Sequence, residues 1–234
     1  MRCNRCGREA AESDKFCAEC GMFLRDAFVD RRLLAPMLLM TEGKHREARR
    51  ELERLVAMEP ENALANHCLG IVHFHQGTLD QAIECYQRAT DLAPDFVVCY
   101  YDLGVAYYHR GNMPAAIRAF RRCLDLDPHY NAAHYRIAIC LFHVGEMDQA
   151  LEHFEKCTTL TPEYVMARYH IGVIHERAGE FDAAAREFRR CIDEGVEEHS
   201  SLYHLAHIHK ARGDEKAAAE LLERARQFSR KPVS

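Results

Sequence analysis

The chain has 234 residues, 48% of them hydrophobic, which is enough for one sizeable packed domain or two small ones. Its 36 acidic and 31 basic side chains leave a net charge of −5, which gives no overall attraction to nucleic acid or an anionic membrane. No segment approaches the roughly 18 uninterrupted apolar residues of a membrane span, and the N-terminus lacks the apolar core of a signal peptide. We therefore expect a cytoplasmic protein.

The first predicted element is a module at residues 1–25, which contains the segment CNRCGREAAESDKFCAECG. Its cysteines form two Cys-x-x-Cys pairs separated by ten residues. Each pair lets one tight turn direct two thiolates to the same ion, and zinc favours a closed tetrahedral site of four sulfurs. We therefore expect one structural Zn²⁺ with no open position for catalysis. The expected ligands are Cys3, Cys6, Cys17 and Cys20.

The module resembles the short zinc ribbons at the N-termini of many prokaryotic proteins, which implies a small domain that needs its metal to fold. A rubredoxin-like iron site and a redox dithiol are the alternatives for the same cysteines. Five basic and four acidic side chains, with about −2 from a zinc tetrathiolate, leave the module slightly acidic. Phosphate binding needs a concentrated positive face, which this module lacks. A nucleic-acid-associated regulator that uses this ribbon is therefore only the alternative function.

Residues 26–232 form the second predicted domain, which is a repeat with a period of 34 residues. A glycine, an alanine and a large apolar residue each recur six times at this spacing without insertion or deletion. The recurring glycines are Gly43, Gly77, Gly111, Gly145, Gly179 and Gly213. The six repeats span 29–62, 63–96, 97–130, 131–164, 165–198 and 199–232.

Each repeat has the pattern of two antiparallel helices. In the third repeat, apolar residues from Tyr100 to Tyr107 follow the i, i+3, i+4, i+7 spacing of one helix face. Gly111 supplies the left-handed residue that ends this helix. Asn112 then suits the N-cap of a second helix, and Pro114 suits its first turn. The repeat therefore predicts a helix–turn–helix unit.

The motif Leu-Gly-x-x-Tyr at 103–107, followed by Gly111, Ala116, Phe120 and Pro128, resembles the tetratricopeptide repeat (TPR) family. The resemblance extends over residues 29–232. It implies an all-α superhelical solenoid of six helix–turn–helix repeats, preceded here by the small four-cysteine zinc ribbon. By resemblance, the first helix of each repeat lines a concave groove that binds a protein or peptide partner.

Two repeats depart from this pattern. Small residues such as Gly104 let the two helices of a repeat approach closely, but the first repeat has Pro36 at that position. We expect a kinked or shortened first helix there. The fifth repeat has Gly195 and Val196 where four other repeats end in proline, which predicts a looser connection.

The groove positions of the family hold aromatic residues and histidines in this chain, at offsets that share one helix face. Rigid aromatic rings with a polar tip suit peptide recognition. The alternative is that these side chains pack between adjacent first helices. The family's carboxylate clamp is not reproduced, because Val105 and Ile139 occupy its asparagine positions. The candidate groove residues are Tyr101, Tyr135, Tyr169, Tyr203, His67, Phe74, Tyr108, Phe142, His75, His109, His143 and Arg136.

Two further sets of residues have candidate chemistry. His204 and His207 share one helix face, but a metal site there needs a third ligand that the sequence does not identify. Cys123, Cys157 and Cys191 recur where the family has a small inward residue, which predicts structural packing.

The sequence contains no paired catalytic carboxylates, phosphate-binding loop or nucleophile elbow. We therefore predict a non-enzymatic scaffold or adaptor that binds an extended or helical segment of a protein partner in the groove, with no role at a membrane.

Overall fold

The computed structural model describes Glu9, residues 31–162 and residues 164–229. Residues 31–162 and 164–229 form twelve α-helices joined by short turns, which confirms the all-α prediction for this part of the chain. The predicted zinc ribbon, with Cys3, Cys6, Cys17 and Cys20, lies outside it. The helices are α1 (Arg31–Thr41), α2 (His45–Met58), α3 (Ala63–His75), α4 (Leu79–Leu92), α5 (Val97–His109), α6 (Met113–Leu126), α7 (Asn131–Val144), α8 (Met147–Leu160), α9 (Val165–Arg177), α10 (Phe181–Asp193), α11 (Glu198–Ala211) and α12 (Glu215–Ser229).

The chain divides into two compact units, with the boundary inside α7 between Cys140 and Leu141. In the first unit, each helix from α1 to α6 packs against the next one in the chain. In the second unit, the same holds from α8 to α12. Each unit is therefore built from contacts between consecutive helices, as a repeat architecture requires.

The turns between helices follow the sequence closely. Gly111 adopts a φ of +81°, and its N–H bonds the carbonyl of Tyr108 at the end of α5. Asn112 then caps α6, where its side chain accepts a hydrogen bond from the Ala115 N–H at 3.2 Å. Pro114 lies in the first turn of α6. The predicted helix stop, N-cap and first-turn proline are all confirmed.

The core lies where the two helices of a repeat meet. Phe120 is inaccessible to solvent and packs directly over Gly104. A Cβ atom added to Gly104 would lie 2.5 Å from Cε1 of Phe120, so this position admits no larger residue without a shift of the ring. The predicted close approach of the helices is confirmed. Cys123, Cys157 and Cys191 are also inaccessible, as expected for packing residues.

The two irregular repeats have specific local structures. Pro36 lies inside α1, and its ring is buried. After α10, Gly195 has a φ of +68°, and the Val196 N–H bonds the Cys191 carbonyl at 2.9 Å. Glu197 follows with a φ of +50°, the one non-glycine residue in a left-handed conformation among the described residues. The connection without proline is thus a left-handed turn closed by backbone hydrogen bonds.

Within the described residues, no helix has the combination of length and apolar composition that crossing a membrane requires.

Candidate partner-binding surface

The twelve candidate groove residues all lie on first helices of the repeats, and we call them together the first-helix face. Eleven of the twelve are half-buried or exposed, and the exception is His67. His67 is only 6% exposed, and it donates a hydrogen bond from Nε2 to Oδ2 of Asp102 at 2.7 Å. Its ring also lies 4.8 Å from the ring of Phe96. His67 therefore links α3 to α5 from a buried position.

In the first unit, Tyr101 of the first-helix face packs against two other aromatic rings. Its ring centroid lies 5.7 Å from that of Phe120 and 5.2 Å from that of Tyr130, and one side remains accessible. Tyr135 and Arg136 on α7 are likewise half-buried. The packing fixes the Tyr101 ring in place while leaving part of it available.

Two turns further along the first helices lie half-buried aromatic residues, each followed by an exposed histidine. Phe74 is half-buried, and its ring meets the edge of the His109 ring at 5.4 Å between centroids. Tyr108 is half-buried, whereas His75 and His109 are exposed. This part of the first-helix face combines apolar rings with accessible imidazoles.

In the second unit, Tyr169 connects two consecutive first helices. Its hydroxyl lies 3.2 Å from Nε2 of His204, and its ring packs 6.0 Å from Phe188. Burial raises the pKa of the Tyr169 hydroxyl, which keeps it a hydrogen-bond donor. His204 in turn stacks on Phe188, with centroids 4.7 Å apart and ring planes 8° from parallel.

The remaining members in the second unit differ in exposure. Phe142 is half-buried beneath the guanidinium of Arg177, whose central carbon lies 4.7 Å from the ring centroid. His143 is exposed, and Tyr203 is 42% exposed. The guanidinium of Arg177 adds a positive group to this surface that was not predicted from the sequence.

His170, next to Tyr169, is held between aromatic rings. It stacks on Phe154 with centroids 4.9 Å apart and planes 7° from parallel, and it meets the edge of Phe142 at 5.8 Å. Burial lowers the pKa of His170 to about 4, so this imidazole is neutral near pH 7.

Glu176 on α9 is the group that joins His204 and His207. Nδ1 of His204 lies 2.5 Å from Oε2 of Glu176, and Nδ1 of His207 lies 2.6 Å from Oε1. Each carboxylate oxygen of Glu176 therefore accepts a hydrogen bond from one imidazole. The side chain of Glu176 is only 11% exposed. Glu176 was not predicted from the sequence. The signal was present, because Glu176 interrupts the aromatic column of Phe74, Tyr108 and Phe142 at the 34-residue spacing.

In residues 31–162 and 164–229, no three histidine, cysteine, aspartate or glutamate side chains are arranged to hold a metal ion. The contacts of Glu176 with His204 and His207 are hydrogen bonds between α9 and α11. The four cysteines expected to bind zinc lie outside these residues.

The described chain is a series of consecutive helix pairs in which a glycine follows each first helix, and a small residue faces the second helix in five of the six pairs. This arrangement defines the class of helical-repeat proteins. Family models described as tetratricopeptide repeat match residues 61–128, 101–165, 148–195 and 171–232. The chain therefore belongs to the tetratricopeptide repeat family, whose members bind protein or peptide partners and are generally not enzymes.

Solved structures share this fold. A crystal structure of MamA is 27% identical, covers 68% of this chain and 94% of its own, and gives a TM-score of 0.66. PilF of Pseudomonas aeruginosa is 18% identical over 86% of this chain and 92% of its own, with a TM-score of 0.71. YrrB, described as a TPR protein with an unusual peptide-binding site, is 18% identical over 74% of this chain and 90% of its own, with a TM-score of 0.66. No curated protein matches the chain.

Proposed function

We propose that this protein is a scaffold or adaptor that binds an extended or helical segment of a partner protein on its first-helix face. The observation that carries the proposal is the half-buried tyrosine found at the same repeat position in three consecutive repeats, Tyr101, Tyr135 and Tyr169. A half-buried tyrosine offers an apolar ring and a polar tip to a ligand.

The packing of these rings supports a role in binding. Tyr101 is held by Phe120 and Tyr130, and Tyr169 is held by Phe188 and the hydrogen bond to His204. An ordered ring loses little conformational entropy when a ligand covers its remaining surface. His67 is buried and bonded to Asp102, so we assign it to the connection between repeats and the more exposed members to the partner.

The family supports the same function, because its members bind protein or peptide partners. The description of YrrB names a peptide-binding site in that protein. We propose a peptide ligand for this chain as well, on the accessible rings of its own first-helix face.

We further propose one structural Zn²⁺ on Cys3, Cys6, Cys17 and Cys20, and a cytoplasmic location. The seven cysteines of the described residues are all free, which suits a reducing compartment. Metal analysis of the purified full chain should give about one zinc per chain. A zinc content near zero would contradict the assignment.

The binding proposal is tested by quantitative co-purification from the native cell with tagged full-length protein. We expect Tyr101→Ala/Tyr135→Ala to lose the specific partners at least tenfold, because two central anchors are removed (1.4 kcal/mol per tenfold). The matched control is Tyr100→Ala/Tyr107→Ala, which removes two half-buried tyrosines from other positions of α5.

Circular dichroism and melting of both variants separate loss of binding from loss of fold. Partners retained equally by both folded variants and the wild type would exclude the first-helix face as the binding surface.

A further inference from the structure

The outer side of α1 carries apolar side chains that no described residue covers. Leu34 is 53% exposed and Leu38 is 60% exposed, one helical turn apart, and Ala35 is exposed beside them. On the other side of the same helix, Leu33 is inaccessible and Pro36 is buried. The helix thus has a second apolar side besides the one that meets α2.

The repeat shows what normally packs against this second side. The residues equivalent to Leu38 in the other five repeats are at most 5% exposed. Val72 packs in a cluster with Ala48 and Leu52 of α2, and Ile208 packs in a cluster with Phe188 of α10. This position therefore meets the second helix of the preceding repeat. The equivalent residues are Val72, Ala106, Cys140, Ile174 and Ile208.

For α1, no described helix occupies that place. A terminal repeat that faces water normally carries polar residues on its outer side. Two leucines a turn apart are unusual there, and they indicate that another apolar surface covers them.

We propose that residues 22–30 of the same chain, which directly precede α1, cover the side of α1 formed by Leu34, Ala35 and Leu38, and so take the place of a second helix that no described residue supplies. Thirty residues precede Arg31, and Leu34 lies only about 4.5 Å along the helix axis from that residue. The segment directly before α1 supplies the apolar groups required. They are Phe23, Leu24, Phe28 and Val29.

Covalent attachment decides between this occupant and a second copy of the chain. A segment tethered a few residues away has an effective concentration of about millimolar, far above that of a second protein molecule in solution. The tethered segment therefore occupies the leucine surface first. This inference does not rest on the partner-binding proposal, because none of Leu34, Ala35 and Leu38 is among the twelve residues of the first-helix face.

The test is hydrogen exchange of the full zinc-loaded chain, comparing wild type with Leu34→Asp/Leu38→Asp. We expect amides of residues 22–30 to exchange about tenfold faster in the variant, while α3 to α12 keep their protection. The matched control is Met58→Asp, which places a charge on another exposed apolar residue of the first unit, 69% exposed in the wild type. Unchanged exchange at residues 22–30 in the double variant would overturn the proposal.

A second measurement does not depend on the folding of the charged variant. Photoreactive p-benzoylphenylalanine in place of Leu38 should crosslink within the same chain to residues 20–30, and the same group in place of Met58 should not. Crosslinks that double the molecular mass would show a second copy on this surface and would overturn the proposal. Crosslinks confined to α2 or α3 would overturn it as well.

Discussion

His67 and Asp102 form a buried connection between consecutive repeats, with Nε2 and Oδ2 2.7 Å apart and side chains 8% and 26% exposed. His67 belongs to the first-helix face, for which the sequence pattern predicted partner contacts. Tyr169 and His204 form the corresponding connection between the fifth and sixth repeats, at 3.2 Å. In each unit, the first helices thus hold neighbouring repeats together through side chains at these two repeat positions.

Asp102→Ala should lower the free energy of unfolding by about 1–3 kcal/mol, because it leaves the buried imidazole of His67 without its acceptor. Asp125→Ala is the control, since Asp125 is 66% exposed and pairs with Arg122 only at 3.9 Å. That change should stay within about 0.5 kcal/mol. Urea unfolding measures both. Equal effects of the two substitutions would show that the buried pair has no special contribution.

Gly104→Ala should destabilise the protein by about 1 kcal/mol, because the overpacking cost of about 1–3 kcal/mol exceeds the gain in helix propensity. Gly172→Ala should cost less, since its added Cβ would meet Phe188 at 2.8 Å instead of 2.5 Å. Phe120→Leu should partly rescue Gly104→Ala, because the smaller side chain leaves room for the added Cβ. Strictly additive effects in the double-mutant cycle would contradict the predicted clash.

The low pKa of His170, about 4, makes stability depend on pH. Between the ordinary pKa of about 6.5 and the folded value, the unfolded chain binds more protons at this site, so stability falls as the pH drops. His170→Phe should keep the stack on Phe154 and remove this term. Wild type should therefore lose about 1–2 kcal/mol more than the variant between pH 7 and pH 4.5, allowing for partial exposure.

Urea unfolding at pH 7 and pH 4.5 measures this difference in stability. The same measurement at pH 7.5 and pH 8.5 serves as the control. A variant with the same acid sensitivity as the wild type would refute the assignment to His170.

The seven described cysteines should react slowly with iodoacetamide in the native protein. Burial raises the pKa of Cys68 and Cys123 to about 12 and that of Cys85 to about 11, so little thiolate forms at pH 8. Cys85 should react first among the seven, since it alone is half-buried. A zinc chelator should speed labelling only at the four N-terminal cysteines, which peptide mapping by mass spectrometry can verify.

Glu176→Gln should loosen the contact between α9 and α11. A glutamine amide has one carbonyl oxygen, so only one of the two imidazole N–H groups keeps an acceptor, at a cost of about 1–2 kcal/mol. Glu180→Gln is the matched control, because Glu180 accepts from His175 at 2.6 Å but is 58% exposed. Hydrogen exchange in α11 should rise in the first variant alone, and equal protection in both would argue against the cluster.

The helix ends were predictable from the sequence because local chemistry decides them. The glycine at Gly111 and the cap at Asn112 act within a few residues of themselves, and the structure confirms both. The close approach at Gly104 was predictable because the family pattern repeats it every 34 residues. Family membership followed from the same spacing.

The connections between repeats were harder to predict, because they depend on side chains about one repeat apart. Glu176 meets His204 and His207 across 28 and 31 residues, and its break in the aromatic column does not identify these two partners. The left-handed Glu197 was missed because glutamate carries no preference for positive φ. The exposure of Leu34 and Leu38 was not predictable from the sequence, because apolar residues at this position of a helix face are ordinarily buried.

The hydrogen bonds of His67 to Asp102 and of Tyr169 to His204 each join residues 35 apart in the chain. Because every such link joins neighbouring repeats, adding repeats would lengthen the protein without lengthening the loops that folding must close. The entropic barrier is then that of ordering two adjacent repeats. A chain built in this way can begin to fold at any neighbouring pair, including on the ribosome before its last repeats have been synthesised.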